Sequence, residues 1–127
     1  MRSVIVISTV QPNFQGLAEA YSAVGSTDLQ SPDRLVVEGS WGWFAIERDP
    51  NLVCDFSDLE LTEIARHVPE PVYCQLEYST KSAADLAVQL MPKTVELFID
   101  NDHGGFWPIE KVEDLIREGV EWQTTSL

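Results

Sequence analysis

Asp100-Asn101-Asp102-His103-Gly104-Gly105 is where this chain gathers the side chains best suited to chemistry. Two carboxylates, an amide oxygen and an imidazole on one loop could hold a divalent cation or position a water for acid–base work. The spacing stops short of a calcium loop: no third carboxylate follows at the required interval and no bidentate Glu closes it. Asn, Asp and Gly also tolerate left-handed backbone, so the same residues make an ordinary turn. At the end of a strand such a turn can present polar groups to a partner. Asp100, Asn101, Asp102 and His103 are therefore read as a partner-contact loop, with no metal.

Other chemistries find little support. His67, the other of the two histidines, sits near the end of a helical pattern, where a cation complements the helix dipole. There is no Gly-x-Ser-x-Gly, no Ser-x-x-Lys and no glycine-rich phosphate loop. Cys54 and Cys74 fit no zinc spacing, lie in apolar runs and are expected as buried free thiols. No cofactor and no enzymatic turnover are expected.

Charge says more. The 127 residues carry a formal net charge of −13, and residues 28–127 hold all of it. Such a field repels nucleic acid and anionic lipid and draws basic proteins. The acids group as Glu47, Asp49, Asp55, Asp58, Glu60 and Glu63, and again as Glu110, Glu113, Asp114, Glu118 and Glu121. Few bases interrupt these runs, whereas ordinary surfaces mix the signs. Asp55, Asp58 and Glu60 are added to the candidate contacts. Trp41-Gly42-Trp43-Phe44 concentrates the aromatics; Trp41 and Trp43 are expected on one strand face, Phe44 and Ile46 on the other. Trp43 is a candidate anchor if that face is open.

These groups must be held by a framework. At 14.3 kDa with 44% hydrophobic residues, the chain is expected to fold as one compact domain over residues 1–127. No stretch reaches the length of a membrane span, and the Val4–Ile7 run is too short for a signal-peptide core, so a soluble cytoplasmic protein is expected. Val4–Ile7 reads as a buried strand, and Asn13 as the cap of a helix to Val24 stopped by Gly25. Residues 26–33 read as a loop, followed by a hairpin turning at Gly39-Ser40. Ser57-Asp58-Leu59-Glu60 is a capping box opening a helix with Leu61, Ile64, Ala65 and Val68 on one face. Val72–Tyr78 alternates as a strand. Ser82 opens a helix with the stripe Ala83, Leu86, Ala87 and Leu90. Val95, Leu97 and Ile99 form another strand, Phe106-Trp107 a short one, and Pro108 starts a last helix ended by Gly119. The sum predicts an α/β (α+β) fold with a mixed, mainly antiparallel sheet and about four helices.

The capped acidic helix, the extended Val72-Tyr-Cys-Gln-Leu-Glu-Tyr78 strand, the short helix and the strand running into Leu97-Phe-Ile-Asp-Asn-Asp-His-Gly104 carry a resemblance. Over residues 55–116 the chain resembles small acidic immunity proteins of bacterial polymorphic and contact-dependent growth-inhibition toxin systems. The resemblance implies stoichiometric binding to a basic, nuclease-type toxin domain. Two alternatives are a DNA-mimicking inhibitor of a DNA-binding protein and a small metal-dependent hydrolase or lyase using Asp100, Asp102 and His103.

Overall fold

The computed structural model describes residues 2–93 and 96–126. Seven strands form one sheet: β1 (Arg2–Ser8), β2 (Ser26–Ser31), β3 (Arg34–Gly39), β4 (Gly42–Arg48), β5 (Val72–Tyr78), β6 (Leu97–Asp100) and β7 (Phe106–Pro108). Their spatial order is β2-β3-β4-β5-β1-β6-β7. Every neighbouring pair is antiparallel. The expected mixed sheet thus has no parallel pair among the described strands, because each helical connection leads away from the adjacent position or returns in the opposite sense.

Four α-helices accompany the sheet: α1 (Phe14–Tyr21), α2 (Asp58–His67), α3 (Lys81–Leu90) and α4 (Ile109–Arg117), with a 3-10 helix at Pro50–Asp55. Strand alternation divides the apolar side chains between two faces. Val4, Val6, Leu35, Val37, Phe44, Ile46, Leu76 and Ile99 meet α1, α3 and α4 in the larger core. The alanines Ala83, Ala84 and Ala87 let α3 lie close to the sheet. Tyr21, fully buried there, donates its hydroxyl to the carbonyl of Ala87 at 2.6 Å. Ile7, Tyr73 and Phe98 face the other way and meet Leu52, Ile64 and Val68 in a smaller core under the 3-10 helix and α2. No described helix is long and apolar enough to cross a membrane.

Several local expectations change. Residues 26–31 form strand β2, not a loop; it is a sheet edge exposed along most of its length, so its polar composition needs no apolar alternation. The β3–β4 turn is Ser40-Trp41 between paired Gly39 and Gly42, and Gly42 takes the left-handed backbone at φ +117°. A Cβ there would also lie 2.4 Å from Ser79 Oγ. Trp41 consequently leaves the strand, stacks on Phe44 at 5.5 Å and donates its indole N–H to Val24, while Trp43 is exposed. Gly25 has no positive φ; α1 ends at Ser22 in right-handed geometry. Thr80, not Ser82, caps α3, whose buried stripe is Ala83, Ala84, Ala87 and Val88. Cys54 is exposed and only Cys74 is buried. Val95 lies outside the described residues.

The Ser57 capping box is present in both directions, with Glu60 N–H to Ser57 Oγ at 3.2 Å and Ser57 N–H to Glu60 Oε1 at 2.9 Å. It matters because α2 is lightly anchored: Ile64 is its one buried residue, and Ala65 is exposed. Ser57→Ala should therefore cost about 1 kcal/mol. Amide exchange should show the loss concentrated in α2, and an unchanged exchange rate there would contradict the cap's role.

Candidate functional site

The Asp100 loop is rigid because its side chains replace backbone partners. Asp100 Oδ1 accepts the N–H of Asp102 at 2.8 Å. Asn101 Oδ1 accepts the N–H groups of His103 at 2.9 Å and Gly105 at 2.8 Å. Its amide donates to the carbonyls of Trp122 at 2.7 Å and Thr125 at 2.6 Å. This lets Asp102 hold a left-handed φ of +60°. At Gly105 any Cβ would come within 2.2 Å of the Trp107 ring, so the loop returns to β7 only through glycine.

Fixing the loop places carboxylates from two distant parts of the chain on one cleft. Glu60 and Glu63 of α2 face Asp100 and Asp102 across a space of about 250 Å³, with Ile64 and Phe106 at its base. Glu63 also holds Arg66 at 3.2 Å and His67 at 3.4 Å. The His67 ring lies 5.3 Å from Phe98 and 5.7 Å from Phe106, so it braces α2 against the sheet. Burial pushes the Asp100 carboxyl above its ordinary range; the Asp102 N–H opposes this, and the charges of Glu60 and Asp102 add to it.

The sign of that shift gives a prediction. A carboxyl whose folded pKa is raised binds its proton more tightly when folded, so stability falls as pH rises from the ordinary carboxylate range, near about 4, through the folded pKa. Asp100→Asn keeps the acceptor for Asp102 and removes the charge. The variant should melt at a higher temperature than the parent at pH 7, with the difference vanishing in acid. A lower melting temperature at neutral pH would contradict this.

The structure separates the other candidates. Asp102 and His103 are exposed, but His103 points away from the cleft into a polar pocket with Arg2, Lys81 and Glu121. Asn101 is fully buried and cannot meet a partner; all its polar atoms serve the loop, which corrects its reading as a contact. Asp55 and Asp58 are exposed outside the cleft. Trp43 lies at 37% exposure at the start of β4, away from the Asp100 loop. Glu63 was legible only as one acid of a run; its place opposite Asp100 follows from how α2 docks.

Two other groups bear on chemistry. Among the described residues, no group of three or more His, Cys, Asp or Glu is placed to hold a metal ion. A second cavity of about 310 Å³ lies between α1 and the sheet, lined by Val6, Leu17, Ile46, Cys74, Met91 and Leu97. Burial pushes the Cys74 thiol up to about 12, so it stays protonated and is no nucleophile at neutral pH.

No protein-family model, curated protein or solved structure matches this chain.

Proposed function

We propose that this protein is a non-catalytic binder, an immunity protein that neutralises a cognate basic, nuclease-type toxin by stoichiometric binding. The observation that carries the reading is the meeting of Glu60 and Glu63 with Asp100 and Asp102 on one cleft, beside a loop that Asn101 makes rigid. A nuclease cleft is basic because it holds a polyanion, and an acidic surface can occupy the same field. Complementary charge steers association, while close contacts set residence time.

The test is to immobilise the protein, recover from its source cells the basic protein that salt elutes, and titrate the purified pair. A one-to-one complex in which nucleic-acid cleavage stops is expected. Cleavage that persists at saturation would reject the reading.

A hydrolase or lyase worked by Asp100, Asp102 and His103 draws on one observation, the raised carboxyl of Asp100 beside Glu60. The geometry supports it less. One oxygen of Asp100 already accepts the Asp102 N–H, and His103 lines a different pocket.

A further inference from the structure

We infer that the bare half of the sheet, walled on one side by α2, is the surface on which the basic partner docks; this rests on the binding function proposed above and locates it. The strand alternation that buries Leu35, Val37, Phe44, Ile46 and Leu76 sends Val36, Glu38, Trp43, Ala45, Glu47 and Glu77 to the opposite face. On that side the 3-10 helix and α2 cover only the end of the sheet around Ile7, Tyr73 and Phe98. No described helix lies over β2, β3 and β4 there.

Register orders this face into rows. Asp28, Val36, Ala45, Glu77 and Ser3 are successive cross-strand partners. So are Arg34, Glu47, Gln75, Ile5 and Asp100, and that row ends at the cleft under Glu60 and Glu63. The floor and the wall are thus continuous, with Asp100 at the inner corner. The rows and the neighbouring Glu38–Trp43 pair carry five carboxylates and a single guanidinium. Arg34 is already held by Glu47 at 3.0 Å and Glu77 at 3.8 Å. Half-buried Val36 gives the floor its apolar centre over buried Ala45, half-buried Ile5 continues it toward the smaller core, and Trp43 stands exposed beside it.

That chemistry selects the occupant: a protein surface with arginines or lysines around a small apolar centre. A second copy would bring the same charge, and nucleic acid would be repelled. The other acidic region, on α4, differs in kind. There Lys93 pairs with Glu113 at 3.6 Å, Arg117 pairs with Asp114, and the apolar stripe Ile109, Val112 and Leu115 is buried. Glu110 and Glu118 are exposed on a solvated helix face whose apolar stripe is already spent on the core.

The probe is a labelled, disulfide-closed β-hairpin peptide bearing arginines around a valine centre. Its affinity is compared for the parent protein, for Asp28→Lys with Glu38→Lys on the bare face, and for Glu110→Lys with Glu118→Lys on α4. All four positions are exposed and both pairs change net charge equally. Two attractions turned into repulsions should weaken binding roughly tenfold on the sheet and about twofold on α4. Amide shifts of the parent in the same titration locate contact without any variant, so a sheet variant that fails to fold leaves the test intact. Shifts on β3, β4 and β5 are expected. Equal weakening by both pairs, or shifts confined to α4, would overturn the location while leaving the basic-partner reading standing. A peptide that binds the parent nowhere would overturn both.

Discussion

Replacing Asn101 with alanine should lower the unfolding free energy by about 3–5 kcal/mol and release the segment that follows α4. The side chain is fully buried and makes four hydrogen bonds, two accepted and two donated. Its loss strands the N–H groups of His103 and Gly105 and the carbonyls of Trp122 and Thr125. Each buried orphan costs about 1–3 kcal/mol, less whatever water recovers. The damage should spread, because Trp122 is itself buried and donates its indole N–H to Asp85 at 2.7 Å, where Lys81 also pairs at 2.6 Å. Asn101→Asp separates the two halves of the network. A carboxylate can still accept from His103 and Gly105 but would face two carbonyls with no proton to donate. Its deficit at neutral pH should at least match alanine's and shrink in acid, as the protonated form regains one donor. Urea unfolding measures both. A deficit below about 1 kcal/mol for alanine would show that the loop is held by something other than Asn101.

How much of this was legible in the chain depends on how local the cause was. The Ser57 box, the Asn13 cap, the Val72–Tyr78 alternation and the stop at Gly119, with φ +75°, are decided within a few residues, and each is found where the pattern places it. Edge strand β2 escaped because an edge needs no apolar signal. Helical spacing puts Ala65 on the face of Leu61, Ile64 and Val68, whereas α2 docks with Ile64 buried and the His67 ring against Phe98, which leaves Ala65 exposed. The Asp100 loop was legible as dense polar chemistry, but not the division of labour inside it. Asn101 turned inward because segments more than twenty positions away supply its carbonyl partners. The open face was written in Glu38, Glu47 and Glu77, which alternate with buried Val37, Ile46 and Leu76. What no local pattern contains is the strand order that gathers these three on one face and ends the row of Glu47 at Asp100.

Asp100→Asn should weaken binding to the cognate toxin by about 2–5 kcal/mol, roughly 30-fold to several thousandfold in Kd, mostly through faster dissociation. Asp100 is half-buried at the inner corner between the sheet and α2, so a basic side chain reaching it would be desolvated and left unpaired in the variant. Asp55 and Asp58, exposed outside the cleft, should behave as rim charges: reversing both should mainly slow association. Salt should separate the two effects. Screening shortens the Debye length from about 10 Å at 0.1 M to about 3 Å at 1 M, so the parent's association rate should fall steeply while its dissociation rate changes less. The same Asp100→Asn protein is expected to be more stable than the parent at neutral pH, because burial and the charges of Glu60 and Asp102 work against its carboxylate. A side chain kept at a cost in stability and needed for binding is the pattern of a functional site, and a merely structural residue would not give both results. If Asp100→Asn gains stability and the dissociation rate from the toxin stays within about twofold, the carboxylate has no part in recognition, and the docking surface must lie away from this corner.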